Sequence, residues 1–512
     1  MIDTLPPQST IEVTTRRFQI SDTALARCDA AVVVAERGAD AETTLAGLPA
    51  GGALRALLGH ERRAGNEWPV LVTRLANRRH TLVVVGFVKP GASGFERLDF
   101  AGKLAKEVVR PGIGRLQLHG AGFADPEALG HALEPVLAAV LAHAAPMPEH
   151  KSRPTPPPAL AHVEIAVAGE ATFVARCRAE AEGNHLARWL ATLPPNVLDT
   201  PAYRRTLEQL ARREGLSFKF HDVAALEKLG AGAFLAVARA NAHRGAGIAC
   251  LSYRPARARG MARPVALVGK GICFDTGGIN LKPHKSMLLM HGDMQGSAVA
   301  VGTLVALARL GVPYPVDCWV AITENEIGPA AFRPQEIVRA SNGVTIQVVH
   351  SDAEGRMVLA DTLELASREK PRLLLDFATL TGACVVAITD RYAGAFTNRP
   401  ALHEWLQQTG RECGERVWCF PMDEDFDVEL ESKLADVQQC TPDAKGDHIL
   451  AARFLGRFVE AGVPWVHVDL AASEHKEGLG HVPTEFTGFG VRFALHLLGD
   501  AAVLHDRLQA SA

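Results

Sequence analysis

Apolar positions along this chain form two alternating patterns. Short continuous runs at 31–35 and 81–88 have the length and β-branched character of buried strands. Helical spacing over 100–109 and 126–143 predicts helices. The alternation resumes later, with strands predicted at 265–268, 316–322, 344–349, 373–377 and 465–470, and helices at 296–310 and 357–367. Such strand–helix–strand succession predicts the α/β class. We expect a smaller N-terminal α/β domain (1–145) and a larger C-terminal domain (161–512) with a doubly wound, mostly parallel sheet flanked by helices. Between them PMPEHKSRPTPPP has many prolines and no apolar period, so 146–160 reads as a linker.

Composition narrows this only a little. At 512 residues the chain is too long for one compact core. A formal net charge of −3 creates no global field towards nucleic acid or anionic lipid, although local basic patches stay open. The start, MIDTLPPQSTIEV, lacks the basic and apolar regions of a signal peptide. No apolar run is long enough to span a membrane. Nine scattered cysteines, with no CxxC, fit reduced thiols in a cytoplasmic protein.

The chemistry lies in three segments. In VGKGICFDTGG a strand is expected to deliver Lys270 and Asp275 into a glycine-rich turn, followed by Lys282. In MHGDMQGSA, Asp293 stands just ahead of a predicted helix. In HSDAEGR, an extended segment would point Asp352, Glu354 and Arg356 the same way. Alone, each is an ordinary cap, turn or solvated ion pair. Together, four carboxylates at strand ends demand compensating cations, and a divalent metal supplies that better than lysine.

At this point the chain resembles the leucyl aminopeptidase family, two-metal exopeptidases. The pattern is G-K-G-x-x-x-D-[ST]-G-G, K-P, D-M-x-G-[AS]-A, D-A-E-G-R and A-T-L-T-G-A, in order at 269–278, 282–283, 293–298, 352–356 and 378–383. Weaker likeness extends to PPNVLDTP, WVHVDLA and TGFGVR, so it covers essentially the second domain.

The resemblance implies a ligand set. Lys270, Asp275, Asp293 and Glu354 would hold a tighter ion; Asp275, Asp352 and Glu354 would hold a more exchangeable one. The ions would be Mn²⁺ or Zn²⁺, with Mg²⁺ as a further option. Lys270 would have to be a neutral amine. A hydroxide shared by the ions would attack, Lys282 would stabilise the oxyanion, and Arg356 would hold a bicarbonate acting as base. Met290, Thr379, Leu380 and Gly382 would bind the first substrate residue. The same likeness implies a macro-like N-terminal domain, a cytoplasmic homohexamer, and peptide substrates with an apolar, Leu-like first residue.

Several positions depart from the family pattern. They include His291, His350-Ser351, Cys273, Gln335-Glu336, 236–241 and 440–448. None is a proposed ligand, but His291, His350 and Cys273 stand as extra metal-ligand candidates. Two other readings remain at this stage: a narrow dipeptidase, for example one hydrolysing cysteinylglycine, and a DNA-binding or scaffolding oligomer.

Overall fold

The computed structural model describes residues 4–511, apart from 39, 124, 168–171, 243–244, 257–262 and 444. It has two compact units. One comprises Pro7–Glu182 with Glu477–Glu485; the other comprises Met1–Pro6, Gly183–Lys476 and Phe486–Ala512.

Among its described residues the first unit carries six strands: β1 (Glu12–Arg16), β2 (Ala30–Glu36), β3 (Leu71–Arg74), β4 (Leu82–Val88), β5 (Arg115–Ala121) and β6 (His162–Ala166). Their order is β1-β6-β5-β2-β4-β3. Among the described residues, the β3–β4 pairing is antiparallel and the other pairings are parallel. Period-two geometry splits β2 between two cores. Ala30, Val32 and Val34 face one, which includes residues of α1 (Gly94–Val108) and α2 (Pro126–Ala144). Ala31, Val33 and Ala35 face the other. The expected boundary needs correction. Strand β6 lies beyond the proline-rich stretch yet pairs with β1 and β5, so that stretch connects α2 to β6 within one unit. Strand β6 lies inside the sheet, between β1 and β5; prolines break regular structure in the connection before it but do not decide which sheet the next strand joins.

The second unit contains β7 (Ser217–Asp222), β8 (Gly247–Tyr253), β9 (Val265–Asp275), β10 (Val316–Asn325), β11 (Ile337–Arg339), β12 (Thr345–Gln347), β13 (Leu373–Ala378), β14 (Ala393–Thr397), β15 (Val417–Cys419), β16 (Val437–Gln438) and β17 (Trp465–Asp469). The main sheet runs β15-β14-β17-β13-β9-β10-β8-β7. Its centre, β17-β13-β9-β10, is all parallel, with antiparallel pairings towards both edges. The central strands are buried on both faces, hence their continuous apolar runs. The strand predicted at 344–349 is shorter and belongs elsewhere: β12 pairs with β11 and β16 in a separate small sheet.

Strand β9 corrects a second expectation. It continues through Gly269 and Gly271 to Asp275, so these glycines lie in the strand and not in a turn. They admit α3 (Gln295–Leu310): a Cβ on Gly269 would sit 2.4 Å from Ser297 Cα. From the helix side, a Cβ on Gly296 would sit 2.2 Å from the Phe377 carbonyl oxygen of β13. The turn begins only afterwards, with positive φ at Gly277 and Gly278.

Candidate metal centre

The polar cluster forms where β9, β10 and β13 end, the usual place for a ligand in such a sheet. Alternation along β9 puts Lys270 on the same face as Val268 and Ile272, which pack in the core containing α4 (Glu354–Arg368). Lys270 Nζ lies 2.7 Å from Asp293 Oδ1, 3.0 Å from Glu354 Oε1 and 2.9 Å from the Thr379 carbonyl oxygen. Asp275 ends β9, and Asp293 lies between a 3₁₀ turn (Met290–Gly292) and α3. Lys282 Nζ bridges Asp275 Oδ2 at 2.9 Å and Asp352 Oδ1 at 2.5 Å.

The 352–356 segment is not extended. Glu354 begins α4, so Arg356 lies within the first helical turn rather than alternating with the two carboxylates. The acidic residue at the helix start favours this geometry, since Glu354 meets the positive end of the helix dipole, and glycine at 355 leaves room for the Lys270 side chain. Arg356 instead donates to the Gln439 carbonyl at 3.1 Å and to Asp447 Oδ2 at 2.7 Å.

Burial governs the electrostatics. It pushes the Glu354 carboxyl up to about 8, helped by the charge of Asp275 and opposed by Lys270. It pushes Asp293 up to about 6 against the opposing pull of Lys270. Asp352 is also raised, by burial and then by Asp275. For Lys270, burial works downward, but Asp293, Glu354 and Asp275 outweigh it and the net shift is upward. Lys270 is therefore an ammonium beside these carboxylates. The neutral amine expected from the sequence requires a dication to displace the proton.

The donor set fits divalent metal. One ligand atom each from Asp275, Asp293 and Glu354 lies within 4.8 Å of the others. Asp293 Oδ2 and Glu354 Oε2 are buried without a hydrogen-bond partner. Buried carboxylate oxygens with no donor are costly unless a cation takes them. Oxygen-rich ligation suits Mn²⁺ and admits Zn²⁺ or Mg²⁺.

The other expected residues distribute unevenly. Thr379 joins the cluster, its hydroxyl donating to Asp293 Oδ1 at 2.7 Å. The Leu380 N–H donates to Asp469 Oδ1 at 3.1 Å. Gly382 opens a helix, and a Cβ there would meet nothing within 4 Å. Met290 is half-buried on the 3₁₀ turn before Asp293. Among the described residues, neither His291 nor His350 enters the carboxylate group: His291 packs edge-on against Phe486, and His350 Nδ1 accepts from the Asp352 N–H at 3.3 Å. Cys273 is buried, and burial keeps its thiol protonated.

Some supporting residues escaped the sequence reading. The β9–β10 register sets Asn325 opposite Asp275, and its amide donates to Asp275 Oδ1 at 2.8 Å and to the Ser351 carbonyl at 3.1 Å. Gln439 accepts from the Val349 and His350 N–H groups and donates to the Ala353 carbonyl. Asp469, at the end of β17, accepts from the Thr381 hydroxyl at 2.7 Å. Strand-end placement was the available signal for Asn325 and Asp469; nothing local marks Gln439 or Asp447.

Known proteins resemble this chain in sequence and fold. The model of the cytosol aminopeptidase family, catalytic domain, matches residues 185–495. A probable cytosol aminopeptidase of Afipia carboxidovorans is 41% identical over 320 residues, covering 62% of this chain and 63% of that protein. The match thus spans under two thirds of that relative. A probable cytosol aminopeptidase of Parasynechococcus marenigrum is 35% identical over 489 residues, covering 93% of this chain and 98% of its own. Among solved structures, the bottromycin maturation enzyme BotP in complex with Mn has a TM-score of 0.79 at 30% identity, covering 92% of this chain and 100% of that one. A mutant of tomato leucine aminopeptidase has the same fold, with a TM-score of 0.83 at 24% identity over 96% of this chain and 97% of its own. By the family match and the near full-length likeness together, this chain belongs to the cytosol aminopeptidase family.

Proposed function

We propose that this chain is a metal-dependent aminopeptidase that hydrolyses the N-terminal residue, apolar and Leu-like by preference, from peptides. The observation that carries this reading is the buried group of Asp275, Asp293 and Glu354, with two carboxylate oxygens lacking any donor. Lys270, Asp275, Asp293 and Glu354 would hold one ion, and Asp275, Asp352 and Glu354 the other. Ions bound there would polarise the scissile carbonyl and lower the pKa of attacking water.

The chain's own groups do the rest. Lys282 sits at the rim between Asp275 and Asp352; burial works downward on its pKa, but the charges of Asp275, Glu354 and Asp293 and the hydrogen bond to Asp352 outweigh it and the net shift is upward. It stays protonated and is the donor available to a developing oxyanion. Thr379 orients Asp293 through its hydroxyl. The open space at Gly382 and the half-buried Met290 suit an apolar first residue. Mn²⁺ is the favoured metal, in keeping with the BotP complex. A homohexameric assembly and a cytoplasmic location belong to the same reading.

A panel of aminoacyl fluorogenic substrates and dipeptides, assayed with Mn²⁺, Zn²⁺, Mg²⁺ and chelator, tests it. Metal-dependent release with Leu-like residues preferred is expected. Activity that survives complete chelation, or none on any free N-terminus, would overturn it.

A further inference from the structure

Arg356 is buried and Asp447 nearly so, with side-chain exposures of 2% and 17%. Arg356 Nη2 donates to Asp447 Oδ2 at 2.7 Å, and Nη1 donates to the Gln439 carbonyl at 3.1 Å. Arg356 Nε and Asp447 Oδ1 are both buried and have no hydrogen-bond partner. A guanidinium offers its N–H groups as a planar fork to a planar O–C–O anion. Here one N–H and one oxygen of the same ion pair remain unused, the two missing halves of a single fork. Carboxylate and bicarbonate share that O–C–O unit and its single negative charge.

We propose that Asp447 is the anion Arg356 holds in this chain, in place of an exogenous bicarbonate. The proposal rests on the aminopeptidase reading, which gives Arg356 an anion to hold. Asp447 is the first residue of a helix (Asp447–Gly456), and an acidic residue there is ordinary dipole compensation. Yet one of its carboxylate oxygens engages Arg356 and the other has no partner. A second anion on the same guanidinium would place two like charges side by side near Glu354, away from water. Asp447 therefore acts through Arg356 and is a positioning residue. The Gln439 carbonyl completes the seat, and the Gln439 side chain holds the Ala353 carbonyl just before Glu354.

The test compares the Zn²⁺-loaded wild type with Asp447→Gly. Titration with ¹³C-labelled bicarbonate is followed by NMR, and peptidase rates are measured in CO₂-free buffer with and without bicarbonate. The wild type should show neither protein-dependent broadening nor a change in rate. The variant should lose about ten- to a hundredfold in rate, the usual cost of removing an outer contact that positions a functional group. Millimolar bicarbonate should then broaden and restore that rate. Activation of the wild type by bicarbonate, or a folded variant that neither binds nor responds to it, would overturn the proposal. The wild-type titration decides even if the variant fails to fold. The NMR comparison stands whether or not aminoacyl substrates are cleaved, so failure of the aminopeptidase reading is separately visible.

Discussion

Lys270 Nζ lies 2.7 Å from Asp293 Oδ1 and, in the same pocket, 3.0 Å from Glu354 Oε1. One ammonium thus serves two buried carboxylates, with Asp275 adding a third negative charge to its surroundings. Metal binding has to expel protons from this group. With Asp293 raised to about 6 and Glu354 to about 8, metal affinity should climb with pH across that interval. The metal-free protein should behave in the opposite way. Carboxyls raised on folding contribute stability that is full below the ordinary carboxylate range and lost as pH rises through about 6 and about 8. Lys270 and Lys282 are raised too, so their contribution persists through this window and is lost only at higher pH. The gap in Tm between metal-loaded and chelated protein should therefore widen from pH 5.5 to pH 9. A gap that narrows over this range would contradict the cluster's role as the metal seat.

Asp275 and Glu354 are expected to serve both ions, so Asp275→Ala or Glu354→Ala should abolish peptidase turnover and lower metal stoichiometry together. Elemental analysis of the dialysed proteins checks this. Full activity with one ion per subunit in either variant would rule out shared ligation.

Lys282→Ala separates metal binding from chemistry. The Lys282 ammonium touches Asp275 and Asp352 from the rim, while the deeper Lys270 holds Asp293 and Glu354. Metal content should stay near that of the wild type, and kcat should fall by about 10²–10³, the usual cost of removing one oxyanion donor. A wild-type kcat would remove Lys282 from the chemistry.

Asn325 supports the proposed ligand Asp275. Its amide fixes Asp275 Oδ1 and ties the end of β10 to the Ser351 carbonyl. Asn325→Ala should weaken metal affinity by about 10–100-fold, as loss of such outer contacts does. Calorimetric titration with Mn²⁺ reads this, and an unchanged Kd would make the contact merely structural.

These variants divide along the line of what the sequence could reveal. Lys270, Asp275, Asp293, Asp352 and Glu354 were legible because ligand chemistry and strand ends coincide within short segments. Asn325 depends on strand register, which slips by one residue between Thr323 and Asn325, and no single segment reports that. The Arg356–Asp447 pair joins residues 91 apart in the chain. Local pattern also misread β9, because glycine is a poor strand former and Gly269 and Gly271 looked like turn residues. Gly269 is there for the close approach of α3, and a Cβ on Gly271 would meet the Ala321 carbonyl oxygen of β10 at 2.6 Å, both tertiary facts. The β6 strand was assigned to the wrong domain for a similar reason: prolines mark an irregular connection, not which sheet the next strand joins.

Gly355 offers the sharpest test of Lys270. A Cβ at this position would lie 2.6 Å from Lys270 Cε and 2.8 Å from its Nζ. A flexible lysine elsewhere would swing aside. Here the side chain is 4% exposed and tied to Asp293, Glu354 and the Thr379 carbonyl, so it cannot move without abandoning them. Alanine also favours helix by about 1 kcal/mol over glycine, which offsets part of the strain in α4. Gly355→Ala should consequently keep its secondary structure, with a Tm lowered modestly, while losing metal stoichiometry and turnover. Circular dichroism, elemental analysis and the aminoacyl assay together read the split. Wild-type metal content and kcat in a folded Gly355→Ala protein would mean that Lys270 is dispensable to the centre.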